Sequence, residues 1–508
     1  MVFGGLAAGA YALVHRQLDK DQRVPAVSRF VAAWTAGKYS EMYALVDAPS
    51  QKANPKISFL ADYRRANRAA GVTGVRAGKI GALRSDGTVH VPVSVSTEDF
   101  GELKGTLVFK PSEDAQGEGR VAWSPELRLP GLEKGEEVHK KSGAAPTRGN
   151  IYDAGGRLLN SDPTGASIAG SAGEKPTGLE RIYDDRLGGR RSVTLRFGDR
   201  VIEKLPGRRG KSIHTTIRLG LQKQANNALG KQVGGIAVIK PSDGSVLALA
   251  GLAVSAPQPP GSSFKIITAA AALQNKAATP STTYPARTQA TLSGVALRNA
   301  SDETCGGTLV NSFAHSCNSV FGPLGAKVGA KKLLATAEKF GFNEQPDIPA
   351  AKVSTVPKQM KDAIAVGSAA IGQNTDNATP LQMASVAATI ANHGVRIKPH
   401  LAGTERKKNR VVSAKVARQV RDMMIAVVQY GTGKAAAIPG VQVAGKTGTA
   451  ELVSTADIAQ NASNTTAWFV CFAPASKPRV AVAVMLPKAG QGGASAAPIA
   501  KRVLQAAL

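Results

Sequence analysis

The chain has 508 residues, with 64 Lys and Arg against 36 Asp and Glu, a formal charge of +28, 43% hydrophobic and 5% aromatic residues. Such a length holds roughly two to four domains with buried cores, and three cysteines without zinc-site spacing exclude a disulfide scaffold and leave no metal or cofactor expected. The charge attracts polyanions or lipid head groups, but scattered basic residues and the lack of any nucleic-acid-binding motif argue against nucleic acid.

Residues 2–14 are apolar or small and uncharged, and His15, Arg16 and Lys20 follow. The run is shorter than the ~20 residues that cross a bilayer and has no basic flank before it. It reads as the end of a longer signal-anchor occupying residues 1–22, with a short buried helix as the alternative. Val27, Phe30, Val31 and Trp34 then recur at the spacing of one buried helical face, and further helices are expected over 40–46 and 57–69. The period changes where Val89, Val91, Val93 and Val95 alternate; 106–109 and 121–123 read as further strands, with turns at Asp86-Gly87 and Gly117. Helices followed by a curved antiparallel sheet predict an α+β domain over 23–131.

Residues 132–214 are rich in Gly, Pro and Arg. They read as an extended linker or pedestal, or simply irregular loops, with a turn-and-strand element at 147–153 and a short helix at 178–187. From residue 215 a helix over 219–229, a buried strand over 235–239, a turn at Asp243-Gly244 and a hairpin mate over 246–250 are expected. Near the C-terminus 467–472 and 480–486 read as apolar strands and 498–507 as a closing helix. Strands at both ends with helices between imply an antiparallel sheet flanked by helices and completed by distant segments, over 215–508.

The chemistry concentrates in three short segments. Pro260-Gly261-Ser262-Ser263-Phe264-Lys265 precedes an Ile- and Ala-rich run. A Ser opening such a helix places its hydroxyl in the first turn, where free backbone N–H groups and the helix dipole favour developing negative charge. Lys265, three residues on, shares that face and can act as a base if burial lowers its pKa. Alone, Ser-x-x-Lys recurs by chance. Here Ser316-Cys317-Asn318 and Lys446-Thr447-Gly448-Thr449 follow in order, and the three together form the active-site set of penicillin-recognising serine enzymes.

On these motifs, with Leu221-Gln222, Gly372-Gln373, Thr379 to Ala384, Gly431-Thr432-Gly433, Gly492-Gly493 and Ala497-Pro498, residues 215–508 resemble the transpeptidase domain of class B penicillin-binding proteins. The helix from Phe30 to Trp34, the sheet, and Trp123 leading to Pro130-Gly131 resemble the NTF2-like N-terminal domain of MecA-type members; Arg148 to Asp153 resembles the start of the pedestal or dimerisation region. No segment resembles a glycosyltransferase.

The resemblance implies a peptidoglycan D,D-transpeptidase. Ser262 would attack the stem-peptide carbonyl or a β-lactam amide, with Lys265 as general base and Ser316 relaying a proton to the departing amine. Asn318 would bind the substrate's amide, and the two-residue spacing from Ser316 calls for an extended loop. Lys446, on an edge strand, would supply fixed positive charge; Thr447 and Thr449 hydroxyls, with Gly448 between, would bind the substrate carboxylate. The backbone N–H groups of Ser262 and Thr449 would form the oxyanion hole. Taken singly, Asn318 reads as a loop cap, the threonines as ordinary strand residues and Lys446 as a solvated edge lysine.

Implied partners are peptidoglycan stem peptides, β-lactams, the membrane through one N-terminal anchor with the catalytic domain extracytoplasmic, anionic cell-wall polymers, and division or elongation proteins. The alternatives are a D,D-carboxypeptidase or β-lactamase, and a β-lactam sensor without turnover. Gly372-Gln373 and Gly431-Thr432-Gly433 are expected to shape the cleft rim. Cys317 reads as a packed thiol behind the site; pairing with Cys305 stays open, since sequence separation does not show whether the side chains meet.

Overall fold

The helical spacing of Val27, Phe30, Val31 and Trp34 is met in the computed structural model by α1 (Arg23–Thr35), which buries all four. The structure describes residues 21–451 and 464–508, apart from positions 349, 374, 404 and 405. Residues 1–20 of the expected anchor lie outside the described residues, among which no helix is long and apolar enough to cross a membrane. The chain divides into two units: Met1–Arg148 with Gly188–Lys211, and Gly149–Leu187 with Ser212–Leu508.

In the first unit α1 and α2 (Lys56–Ala70) accompany a four-stranded antiparallel sheet in the order β1 (Val72–Ala77), β2 (Val89–Thr97), β3 (Gly101–Glu113), β4 (Gly119–Ala122). The alternating valines of β2 all point into the core. β1 had no expected counterpart, because Val72 to Ala77 lacks a run of buried residues. Phe59 anchors the helical side, with ring centroids 5.3 Å from Tyr43, 5.0 Å from Tyr63 and 4.8 Å from Trp123. The polar tips are satisfied inside: Trp123 Nε1 donates to the Tyr63 hydroxyl at 3.2 Å, which donates to the Leu127 carbonyl at 3.4 Å.

The segment 132–214, expected as an extended pedestal, instead divides between the two units. β5 (Val138–Ser142), β6 (Val193–Phe197) and β7 (Arg200–Leu205) form a three-stranded antiparallel sheet, and Val138, Leu195 and Phe197 join the first unit's core. Between them, Ile151, Leu159, Leu179 and Leu187 enter the second unit's core, and Ile151–Tyr152 pairs in parallel with Ile213–His214. The helix expected at 178–187 is two, Gly178–Ile182 and Asp184–Gly188. These apolar residues are too sparse to show a period, and their partners come from elsewhere in the chain.

The second unit contains, in chain order, α3 (Leu219–Leu229), β8 (Gly235–Ile239), β9 (Val246–Gly251), α4 (Lys265–Gln274), α5 (Leu309–Ala314), α6 (Asn318–Val328), α7 (Pro380–Ala391), α8 (Ala414–Gln429), β10 (Ala444–Glu451), β11 (Thr465–Ala473), β12 (Val480–Pro487) and α9 (Gly492–Ala507). Its sheet is antiparallel in the order β9-β8-β12-β11-β10, so strands from both ends of the domain complete it as expected. Successive strand residues face opposite cores. Ile236, Val238, Phe469 and Val484 pack with α3 and α9, whereas Ala237, Trp468, Val470 and Ala483 pack with α4, α7 and α8. Helix α7 is buried all round, a central element rather than a surface one.

Truncating Phe59 to alanine is expected to destabilise the first unit by about 3–5 kcal/mol, measured as a shift in its denaturant midpoint.

Candidate active site

Ser262 stands in a 3₁₀ turn, Gly261–Phe264, that runs directly into α4. The expectation was the first turn of an α-helix. The tighter turn serves the same end, because residues three apart eclipse in a 3₁₀ helix, and Ser262 Oγ lies 2.9 Å from Lys265 Nζ. Gly261 has φ +52°, and a Cβ there would lie 2.6 Å from the Thr449 carbonyl oxygen, so only glycine lets the turn approach β10 so closely. Its N–H donates to the Gly372 carbonyl at 2.8 Å. Gly372, expected at the cleft rim, therefore holds the nucleophile's turn.

Lys265 is 0% exposed. Burial, and secondly the Lys446 charge, push its pKa well below the usual lysine value, which favours the neutral amine. Its Nζ lies 2.6 Å from the Ser316 carbonyl oxygen and 2.6 Å from Asn318 Oδ1. Both oxygens only accept, so they take two of the amine's N–H groups, and Ser262 Oγ holds the remaining position around Nζ, where the neutral form would carry its lone pair. The amide orientation of Asn318 is fixed by Nδ2, which donates to the Arg298 carbonyl at 2.8 Å.

Ser316 and Asn318 reach Lys265 by a route the sequence did not disclose. In place of an extended loop there is a tight turn between α5 and α6: Ser316 has φ +64° and Asn318 opens α6. A Cys305–Cys317 disulfide, Cα atoms 5.5 Å apart, ties this turn to the short strand Cys305–Thr308. Cys317 is thus not a free packed thiol; Cys471 is the free, buried cysteine. Asn318 thus bridges Lys265 and the Arg298 carbonyl, and the second N–H of its amide is left for the substrate amide expected there.

Lys446 lies on β10, the edge strand, yet is 0% exposed, against its reading as a solvated edge lysine. Its Nζ donates to Ser316 Oγ at 2.9 Å and to the Thr447 carbonyl at 3.0 Å. Burial lowers its pKa to about 7, so its charge is conditional near neutrality rather than fixed. Ser316 Oγ, 3.3 Å from Lys265 Nζ, stands between the two amines. An aromatic ring accompanies each: Phe321 lies 5.7 Å from Lys265 Nζ and Phe313 5.6 Å from Lys446 Nζ, the two rings being 5.8 Å apart.

Along β10, Thr447 Oγ1 lies 2.6 Å from Thr432 Oγ1 and Thr449 Oγ1 accepts from Gly492 N at 3.3 Å. A Cβ on Gly448 would lie 2.7 Å from the Pro260 carbonyl oxygen and 2.9 Å from Trp468 Cβ, so glycine is needed for that approach. Trp468 Nε1 donates to the Pro259 carbonyl at 2.8 Å, fixing the chain just before the nucleophile. Phe313, Phe321 and Trp468 carried no signal in the sequence beyond ordinary core hydrophobicity, whereas Thr432 belonged to a segment already marked. All eight expected site residues gather on two adjoining elements and one turn, in an arrangement suited to acyl transfer through a serine ester.

A family model for the penicillin-binding protein transpeptidase domain matches residues 234–505, and one for an NTF2-like N-terminal transpeptidase domain matches residues 24–136. The chain is 36% identical over 406 residues to peptidoglycan D,D-transpeptidase PbpA of Mycolicibacterium smegmatis, covering 66% of this chain and 81% of that protein. To PbpA of Mycobacterium tuberculosis it is 33% identical over 403 residues, covering 65% and 79%. The crystal structure of PBPA from M. tuberculosis superposes with TM-score 0.62 at 30% identity, covering 71% of this chain and 99% of that one. Its penicillin G acyl-enzyme complex gives 0.61 at 30% identity, covering 72% and 100%.

Gly261→Ala is expected to slow ester formation at Ser262 on the order of 100-fold by displacing the hydroxyl, read as the rate at which a β-lactam adduct appears in the intact mass.

Proposed function

The chain belongs to the penicillin-binding protein transpeptidase family, with a MecA-type NTF2-like domain ahead of the catalytic one, and from that premise we propose how it acts as a peptidoglycan D,D-transpeptidase acylated by β-lactams at Ser262. The observation that carries the mechanism is the buried Lys265 amine, its pKa pushed well below the usual lysine value, with Nζ 2.9 Å from the Ser262 hydroxyl oxygen. Lys265 takes the Ser262 proton as Oγ attacks the penultimate D-alanyl carbonyl of a stem peptide, or the lactam carbonyl. The backbone N–H groups of Ser262 and Thr449 hold the oxyanion, each worth about 3 kcal/mol.

Ser316, between Lys265 and Lys446, passes a proton to the departing D-alanine amine, and the ester is then taken by an amine of a neighbouring peptide. Lys446 with Thr447 and Thr449 holds the substrate's terminal carboxylate. Asn318 is a positioning residue that orients Lys265. The same reading includes a single N-terminal anchor, an extracytoplasmic catalytic domain, and recruitment by division or elongation proteins. Its support is the apolar run at residues 2–14 and a disulfide, which persists in oxidising compartments.

Labelling with fluorescent penicillin tests the nucleophile: a long-lived adduct is expected on the wild type and none on Ser262→Ala. An adduct cleared within minutes would identify a hydrolase instead, and labelling of the variant would move the nucleophile elsewhere. The second-order acylation rate, which reports the free enzyme's groups, is expected to fall as pH rises through about 7, where Lys446 loses its proton, and to fall again in acid as Lys265 gains one. Lys446→Ala is expected to abolish the alkaline limb and lower the maximum on the order of 100-fold, measured by stopped-flow acylation across pH.

A further inference from the structure

At one end of the β5-β6-β7 sheet, three chain segments bring six exposed cations together. Lys141 is paired with Thr194 near the end of β5, Arg190 and Arg191 lead into β6, and Arg208, Arg209 and Lys211 follow β7. Backbone hydrogen bonds fix the segments side by side. Gly143 N donates to the Ser192 carbonyl at 2.8 Å, Arg190 and Arg208 each donate to the other's carbonyl at 2.8 Å, and Gly210 N donates to the Thr147 carbonyl at 2.9 Å.

That mutual exchange makes Arg190 and Arg208 a directly opposed antiparallel pair, with Cα atoms about 5.5 Å apart, a placement in which like charges destabilise. Residues 141–150, 188–198 and 204–212 contain no Asp or Glu, and among the described residues none of the six cations is ion-paired. Elsewhere in the same unit some arginines are matched with acids, Arg76 with Glu102, Arg120 with Asp114 and Arg200 with Glu133 and Glu136. Those unpaired among the described residues, such as Arg29 and Arg84, are not set directly opposite another arginine in the sheet register. The fold thus tolerates a concentrated repulsion at this one end of the sheet, which a bound polyanion would relieve.

We propose that this end of the sheet is a docking surface for an extended anionic polymer carrying phosphodiester or carboxylate groups. A polymer fits better than a small anion, because the cations are strung along three exposed segments rather than gathered around a cavity. It fits better than a bilayer, because residues 188–192 and 206–212 offer no large apolar side chain to insert among acyl chains. The surface is independent of the acyl-transfer site and stands whether or not the catalytic reading does.

The test titrates poly(glycerol phosphate) against the full chain over a range of salt concentrations. It compares wild type with the fourfold variant Arg190→Gln, Arg191→Gln, Arg208→Gln, Arg209→Gln. A control variant removes four exposed cations of the second unit, Lys331→Gln, Lys332→Gln, Lys415→Gln and Arg418→Gln. The surface variant is expected to bind about tenfold or more weakly at low salt, with the slope of log K against log salt shallower by about three, while the control keeps the wild-type slope. Unchanged circular dichroism and penicillin labelling show that both variants fold. Equal losses in the two variants would reduce the effect to net charge and overturn the proposal, as would tighter binding to anionic phosphatidylglycerol vesicles than to the polymer.

Discussion

A lysine amine enclosed where its charged form is disfavoured is the constraint on which the catalytic unit is built. An ammonium enclosed without a counter-ion is costly in a low-dielectric interior, and among the described residues Lys265 has no carboxylate partner; its neighbours are two carbonyl-type oxygens, two hydroxyls and an aromatic face. Burial accordingly shifts the amine toward its neutral form, the form that can act as a base. The arrangement holds only if both acceptors stay in place, since an amine free to rotate would not keep its lone pair on Ser262.

The local backbone reads as service to that requirement. Ser316 adopts a left-handed φ so that its carbonyl and hydroxyl both turn toward the two lysines, and the Cys305–Cys317 disulfide holds the turn in that form. Gly261 and Gly448 remove the side chains that would separate the nucleophile's turn from β10. Trp468, one strand further in, reaches back to the Pro259 carbonyl, so the sheet itself registers the position of Ser262. Lys446 is buried in the same site, where burial brings its pKa near neutrality; the two amines differ in role by position, Lys265 facing the Ser262 hydroxyl and Lys446 the Ser316 hydroxyl.

The sequence was legible wherever the signal is local. The valine alternation of β2 and the amphipathic spacing of α1 follow from periodicity, and the strands β8, β11 and β12 from short continuous apolar runs, and the structure forms each of them. The segment 132–214 was not legible, because Leu195 and Phe197 on one side and Leu159 and Leu187 on the other are buried by different units, which no run of residues records. In the site, the identity and order of Ser262, Lys265, Ser316, Asn318 and Lys446 were readable from short motifs. Phe313, Phe321 and Trp468 were not, since a core aromatic and one facing an amine look alike in sequence.

What the sequence by itself determined was the inventory of groups and their local spacing: a serine three residues before a lysine, a glycine where a turn must be tight, and the strands that can pair. Tertiary structure decided their protonation and orientation. Whether Lys446 is solvated or buried, whether Cys305 meets Cys317, and whether Asn318 reaches Lys265 all depend on what distant segments bring against them. Solvation and hydrogen-bond geometry belong to a closed pocket in three dimensions rather than to any one stretch of chain.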